Sequence, residues 1–332
     1  MDSVPTSEVV EKAVQLAGRA PSLHNSQPWR WVFDGAALRL FSVPERTLPA
    51  TDGTGRQTIL ACGIALGHLH VAMAAAGWRT LVARLPDPDR REPLATVRFR
   101  RARLVTDADR ARVDAISARH TDRSPYAPPC GWDAFAPALR SAFDPADATL
   151  DVIPDDERPT LAHASELTAA LRRYDSGYQA ELRWWAGHVV GRTGVPRTAL
   201  TAAEEQGVSI ARKMPPGTSD PRASDPGIDR STILLLSTAD DAPGSLVRCG
   251  EALSTILLEC TLAGYATCPL THLTEYPRAR SVVARLTDRN LLPQVLIRVG
   301  IVSPPRIPVE PTPRLPLADI LENRSPPPED RG

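Results

Sequence analysis

The hydrophobic and polar positions along the chain follow two periods, which predicts a mixture of helices and strands. Apolar residues three and four positions apart follow a capping Ser7, so a helix ending before Pro21 is expected, with an inner stripe of Val10, Ala13, Val14 and Ala17. Trp29–Phe33 alternates apolar and polar residues, turns at Asp34-Gly35 and returns through Leu38–Ser42, a strong hairpin signal. Residues 231–237 are a short apolar run typical of a buried strand. The pattern predicts an α+β fold.

One apolar helix pattern occurs twice. Cys62-Gly63 opens a segment that closes at Gly77-Trp78, and Cys249-Gly250 opens one that closes at Gly264-Tyr265. Equivalent residues lie 187 positions apart in the helices and 200 apart in the strand-like runs that follow, at 93–99 and 293–299. The second copy therefore contains 13 more residues, around 268–272. A repeat this long indicates a duplicated domain, with halves at 1–108 and 109–332.

Residues 190–230 interrupt this regularity. They are rich in Gly, Pro, Ser and charge, and a loop of this length is either disordered or functional. Apolar anchors favour a functional loop, which we expect to pack across a binding pocket; they are Leu200, Val208, Ile210 and Met214.

Composition excludes several classes of function. The 332 residues are 42% hydrophobic and carry 39 charges of each sign, so a general nucleic-acid or membrane-surface role is not expected. The first residues lack the basic and apolar sections of a signal peptide, and no run approaches the ~20 apolar residues of a membrane span. The five cysteines form no CxxC pair, which predicts a reduced, cytoplasmic protein without a metal site.

Two short segments carry candidate chemistry. The run 119–123, with sequence Arg-His-Thr-Asp-Arg, offers two guanidiniums and a hydroxyl, which suit a dianionic phosphate. The run 20–29, with sequence Ala-Pro-Ser-Leu-His-Asn-Ser-Gln-Pro-Trp, is a helix exit followed by small polar side chains that can contact the polar edge of a flat heterocycle.

These segments resemble the two signatures of the FMN-dependent nitroreductase family, in which one holds the flavin phosphate and the other touches the ring. In that family both signatures lie near the start of one subunit, phosphate motif first, whereas here the order is reversed and about ninety residues separate them. The resemblance covers nearly the whole chain and is greatest to the Acg-like branch. It implies a nitroreductase-like fold, with two tandem copies arranged as an intramolecular pseudo-dimer, and therefore a monomer.

The resemblance also implies a set of residues around one FMN. The ring contacts come from the first half, and the phosphate contacts and the residues near the reactive edge come from the second. The implied set is Pro21, Ser22, Leu23, Asn25, Arg119, Thr121, Arg123, Thr271, His272 and Arg314. The halves contain no second copy of either motif, so a single FMN is expected, and no side chain is assigned a catalytic role.

Plainer interpretations of the same residues stay open. Residues 119–123 could be a solvated helix end, and Asn25 and Gln27 could mainly satisfy backbone groups at the corner. Trp29 and Trp31 share a strand face and are expected in the core. His68 and His70 point in different directions on a helix and make a poor metal pair.

Three functions are compatible with the sequence. The first is an FMN-dependent oxidoreductase that transfers electrons from NAD(P)H to a nitroaromatic or quinone-like acceptor. The second is a non-enzymatic protein that binds or stores flavin beneath the 190–230 loop, without a small-molecule acceptor. The third is a degenerate scaffold without flavin, which the intact Arg119, Thr121 and Arg123 argue against.

Overall fold

A computed structural model describes residues 4–87, 92–186, 192–196, 207–214, 227–302 and 311–324. Ten helices lie in these ranges: α1 (Ser7–Ala17), α2 (Arg56–Ala75), α3 (Asp107–Ala118), α4 (Trp132–Arg140), α5 (Arg158–Arg172), α6 (Ser176–Trp185), α7 (Pro243–Leu262), α8 (His272–Glu275), α9 (Pro277–Ala284) and α10 (Leu317–Ile320). Nine strands accompany them: β1 (Trp29–Phe33), β2 (Leu38–Ser42), β3 (Trp78–Arg84), β4 (Ala95–Arg101), β5 (Thr149–Ile153), β6 (Thr232–Thr238), β7 (Ala266–Leu270), β8 (Leu292–Gly300) and β9 (Leu321–Asn323). The predicted α+β class is confirmed.

Several local predictions are confirmed in detail. The four predicted inner residues of α1 are all buried, although Thr6 is the N-cap and Ser7 is the first helical residue. β1 and β2 pair as the expected antiparallel hairpin, because the Asp34 carboxylate accepts hydrogen bonds from the Ala36 and Ala37 amides in the turn. Trp29 and Trp31 are both fully buried.

The strands form two sheets with matching order. The first sheet runs β3-β4-β2-β1-β9 and the second runs β7-β8-β6-β5. Within the shared four strands every neighbouring pair is antiparallel in both sheets. The first sheet gains β9, which comes from the C-terminal end of the chain and pairs with β1 in parallel. The 13 additional residues of the second half correspond to α8 and α9, which lie between β7 and β8.

Helices α2 and α7 cross at their glycines. A Cβ added to Gly63 would lie 2.3 Å from the Val247 carbonyl oxygen, and one added to Gly250 would lie 2.3 Å from that of Leu60. Gly250 lies 187 residues after Gly63, and Val247 lies 187 residues after Leu60. Each glycine therefore contacts the residue equivalent to the one that the other glycine contacts, as at a two-fold interface. Each helix ends before a glycine with positive φ, Gly77 and Gly264, as expected for C′ glycines.

A single hydrophobic core spans both sheets and both crossing helices. It includes Trp31 and Leu38 of the first sheet, Leu234 and Ile297 of the second, and the buried faces of α2 and α7. The sequence analysis expected no segment long and apolar enough to span a membrane, but α2 has that length and hydropathy. However, 72% of its most apolar 18-residue stretch is buried inside the protein. α2 is therefore a core helix of the described fold.

We expect Gly250→Ala to destabilise the protein by about 1–3 kcal/mol, because the new methyl group must push α2 and α7 apart. The control is Gly244→Ala on the same helix, where an added Cβ would meet only the Leu85 and Arg248 side chains, at 3.5 Å and 3.6 Å. Urea unfolding measures both variants. Equal stability of the two would contradict the close crossing.

Candidate functional site

The main cleft of the described residues lies between α2, α7, β7 and the corner before β1, and so joins the ranges 1–108 and 109–332 that the sequence predicts as two halves. It encloses about 1150 Å³, counting the solvent open at its mouth. The first half contributes Pro21–His24 and the start of α2, and the second contributes β7, the start of α8 and parts of α7 and β8. Seven of the ten residues predicted to form the site line this cleft: Pro21, Ser22, Leu23, Thr121, Arg123, Thr271 and His272.

The corner before β1 is held in an unusual backbone conformation. His24, Asn25 and Gln27 all have positive φ, between 50° and 57°, which costs about 1–3 kcal/mol for each residue unless the surroundings enforce it. The Ser22 hydroxyl accepts a hydrogen bond from the Gln27 amide across this corner. The strain brings His24 to the cleft wall.

Polar side chains of the corner fasten it to two distant segments. The Asn25 amide nitrogen donates to the carbonyls of Gly194 and Pro313, at 3.1 Å and 3.0 Å. The Gln27 amide donates to the Arg192 carbonyl and accepts from the Leu315 backbone N–H. Neither Asn25 nor Gln27 is among the residues that line the cleft. Their side-chain amides instead hydrogen-bond backbone groups, which is the plainer of the two interpretations of the sequence.

Three arginines converge beside the cleft. Arg119 is buried, and its Nε and Nη1 have no hydrogen-bond partner; the same holds for Nε of Arg314. Arg19 lies close by and donates to the carbonyls of Ile116 and Ser117 at the end of α3. Burial, with the charges of Arg314 and Arg19, lowers the pKa of Arg119 to about 9. Burial and the charge of Arg19 lower the pKa of Arg314 to about 10.

This cluster lacks a compensating anion. Within the described ranges none of Arg19, Arg119 and Arg314 forms an ion pair with a carboxylate. Buried cations are ordinarily paired, because removing an isolated charge from water is costly. The arrangement therefore suits a dianion that takes the unused guanidinium hydrogens. Sequence reasoning missed Arg19, whose role depends on α1 and α3 meeting in the fold.

Thr121 and Arg123 are held by the edge of the second sheet. Thr121 forms a parallel bridge to Thr267 of β7, and the Asp122 amide donates to the Thr267 carbonyl. The Asp122 carboxylate turns back to accept from the Ser124 amide at 2.8 Å. The motif is thus an extended strand edge after α3, with Thr121 and Arg123 facing the cleft, and His120 is exposed.

Two further cations line the cleft, and both have partners. Arg298 makes two hydrogen bonds to the Asp229 carboxylate and lies over the Tyr126 ring. Arg212 bonds the carboxylate of Glu275, the Thr271 hydroxyl and, at 2.8 Å, the Tyr178 hydroxyl. These ion pairs raise the pKa of both arginines in opposition to burial. No Asp or Glu is found among the described residues that line the cleft, although Glu275 and Asp229 balance Arg212 and Arg298 from behind its wall.

Three buried polar groups of the cleft wall have unused hydrogen-bonding atoms. They are His24 Nε2, Gln57 Nε2 and His272 Nδ1. Burial, together with nearby arginine charges, lowers the pKa of His24 well below its usual value and that of His272 to about 3. Both imidazoles are therefore neutral at neutral pH. His24 lies inside the predicted 20–29 segment but was assigned no role, and Gln57 was not predicted because only the tertiary fold brings α2 to the cleft.

Part of the long loop reaches the cleft. Val208, Ala211, Arg212 and Met214 line it, and the neighbouring Ile210 is fully buried in the core cluster of the second sheet. Of the predicted anchors, Leu200 lies outside the described residues, as do 187–191, 197–206 and 215–226.

The described residues contain no group of three or more His, Cys, Asp or Glu side chains that could hold a metal ion. His68 instead hydrogen-bonds Ser254, and His70 bonds Thr80 and Glu251. All five cysteines are free.

Comparison with known proteins identifies the family. No protein-family model matches the chain. A Mycobacterium tuberculosis protein provisionally named NAD(P)H nitroreductase Acg is 46% identical over 325 residues, 98% of each chain. A second protein of that organism, named only as uncharacterized, is 47% identical over 328 residues, covering 97% of this chain and 95% of its own. Another provisionally named NAD(P)H nitroreductase is 37% identical over 323 residues. Identity of this extent shows that the chain belongs to the nitroreductase family, in its Acg-like branch.

Proposed function

We propose that the chain binds one FMN in the main cleft and acts as a nitroreductase-type oxidoreductase. The observation that carries the proposal is the uncompensated cluster of Arg19, Arg119 and Arg314. None of the three lines the cleft itself, but Arg19 and Arg119 each lie two residues before a residue that does, Pro21 and Thr121. A terminal phosphate supplies the two negative charges and the acceptor oxygens that these guanidiniums lack. When bound, FMN supplies electron transfer between NAD(P)H and a nitroaromatic or quinone-like acceptor.

In this proposal one group of residues binds the phosphate of FMN and another surrounds its ring. Arg119, Arg314 and Arg19 hold the phosphate end, assisted by the Thr121 hydroxyl. Pro21, Ser22, Leu23, Thr271 and His272 surround the ring. Arg123, which the sequence assigned with Arg119 to the phosphate, lines the cleft, whereas Arg119 does not. Asn25 acts indirectly, because its amide fixes the corner that carries Ser22 and Leu23.

A second FMN site is disfavoured by what lies at the equivalent positions of the other half. The 187-residue offset relates Ala61 and Ile64, which line the cleft, to Arg248 and Glu251. Glu251 is paired with Arg84 and His70, and Arg248 with Asp147. Ion pairs thus occupy the region where a duplicated fold would place a reciprocal ring site. This supports an internal duplication in which one site has been lost.

The Arg119 assignment predicts a difference between two flavins. Arg119→Met should weaken FMN binding by about 1.5–3 kcal/mol, roughly tenfold to a hundredfold, through loss of a charge-assisted contact. Riboflavin, which lacks the phosphate, should bind the variant and the parent protein equally. Flavin fluorescence titration measures all four combinations.

The matched control for this experiment is Arg110→Met, at an exposed arginine of α3, the helix that ends just before Arg119; Arg110 forms an ion pair with Asp107. It should leave both affinities unchanged. Equal losses of FMN and riboflavin in Arg119→Met would place Arg119 away from the phosphate.

The reciprocal α2–α7 contact predicts a monomer with one flavin. The pseudo-two-fold interface is already buried within the chain, so no second copy is needed to complete the cleft. Sedimentation velocity, recorded in both the protein and the flavin absorbance bands, should show one FMN in each monomeric particle. Two flavins per chain, or an obligate dimer, would contradict the proposal.

A flavin-storing role remains the second candidate, because residues 207–214 lie against the cleft. A nicotinamide must stack on the exposed ring face, so a segment packed there should slow reduction by NADPH. In that case the protein would retain FMN without appreciable turnover.

Loosening this segment should separate the two functions. In Val208→Ser/Ile210→Ser two buried anchors are lost, so NADPH should reduce bound FMN faster than in the parent protein, as followed by anaerobic stopped-flow absorbance. The control is Ser209→Ala, an exposed position in the same segment. Rapid reduction of the parent protein, unchanged in the double variant, would refute the lid and favour the plain oxidoreductase.

A further inference from the structure

His272 lines both the main cleft and a smaller neighbouring cavity, as do Ala211 and Arg212. The smaller cavity lies between α5, α6 and residues 211–213, and Ser165 of α5 lines it. His272 is 4% exposed and Ser165 is 3% exposed, so both act away from bulk water. His272 Nε2 lies 2.9 Å from the Ser165 hydroxyl oxygen.

The tautomer of His272 follows from the bonds that Ser165 makes. The Ser165 hydroxyl donates to the Ala211 carbonyl at 3.0 Å, and a carbonyl oxygen can only accept. A serine has one hydroxyl hydrogen, so toward His272 the Ser165 oxygen must accept. Nε2 of His272 therefore carries the proton, and the neutral ring keeps Nδ1 as a lone-pair acceptor.

That Nδ1 is the unused polar atom of the ring. It has no partner within the described part of the chain, although the residue is buried in the cleft wall. The charged groups around it are donors: Arg123, Arg212 and Arg298 line the same cleft. Because His272 Nδ1 can only accept a hydrogen bond and has no protein donor within the described residues, a ligand that presents an N–H group would satisfy it.

We propose that Ser165 is a positioning residue that holds His272 Nδ1 as an acceptor toward the cleft, and that the bound ligand donates an N–H to it. The inference rests on the proposed function, since the isoalloxazine ring of FMN carries such an N–H. It adds a contact that selects for the ring, independent of the phosphate cluster.

The same bonds couple the ring contact to the long loop. The acceptor of the Ser165 proton is the backbone of Ala211, which belongs to the 207–214 segment. If the 207–214 segment moves away, the Ser165 hydroxyl loses its acceptor, the Ala211 carbonyl, and can donate to His272 Nε2 instead. The proton of the neutral imidazole then lies on Nδ1. The cleft would then present a donor where it had an acceptor.

Nitrogen-15 NMR of the histidine-labelled, flavin-loaded protein tests the positioning role directly. The parent protein should show His272 protonated at Nε2 only. Ser165→Thr keeps a hydroxyl and should preserve that signature with and without flavin. Ser165→Ala and the Val208→Ser/Ile210→Ser variant should show a mixture of tautomers once the flavin is removed, because the bound flavin N–H itself favours the Nε2 tautomer. A parent protein with the proton on Nδ1 would overturn the inference.

Flavin affinity tests the ligand contact. His272→Phe and Ser165→Ala should each weaken FMN and riboflavin by the same factor, about twofold to tenfold, because the contact is to the ring. This differs from Arg119→Met, which should affect FMN alone. Ser165→Thr should bind both flavins as the parent does.

The outcomes separate the two proposals. Tight binding of both flavins that is unchanged in His272→Phe and Ser165→Ala would overturn this inference and leave the FMN proposal intact. A parent chain that binds neither flavin would overturn the FMN proposal, and with it the ligand contact of His272.

Discussion

The close approach of α2 and α7 at Gly63 and Gly250 is the constraint on which the rest of the structure depends. Because neither glycine has a side chain, the two helix backbones touch, and one core can span both sheets. Leu60, Ile64 and Leu253 flank the crossing and also line the cleft. The distance between the helices therefore sets both the packing of the halves and the width of the site between them.

Charge pairing distinguishes two kinds of arginine around that site. Arg298 and Arg212 are satisfied by Asp229 and Glu275, so their charges are balanced before any ligand arrives. Arg119 is buried and Arg314 is half-buried, and both keep nitrogens without partners. The first pair organises the wall and the segment 207–214, and the second pair carries charge that a ligand must balance. Burial alone would not have separated them.

Sequence reasoning reached the parts of the site that are local in the chain. The motif at Thr121 and Arg123, the His272 loop and the tail arginine Arg314 each have a recognisable context, and His24 lies inside the predicted 20–29 segment. Arg19, Gln57 and Arg212 gain their context only from tertiary contacts. The long helices, the hairpin and the C′ glycines follow from periodicity and turn chemistry. The positive φ of His24, Asn25 and Gln27 does not, because it is enforced by segments up to 290 residues away, through Pro313 and Leu315.

The C-terminal tail makes the two halves unequal. Its residues 311–315 carry Arg314 and bond Asn25 and Gln27 of the corner, and β9 then adds to the first sheet alone. Among the described residues, the second sheet ends at β5 without a corresponding strand. In a symmetric pair both sheets would receive such a tail and both sites would be equivalent. In this chain a single tail can complete a single corner, so the positions equivalent to the cleft could evolve into the ion pairs of Glu251 and Arg248. The Glu251 pair ties α7 to Arg84 of β3, so the side without a tail contributes to holding residues 1–108 and 109–332 together, whereas Arg248 and Asp147 pair within 109–332.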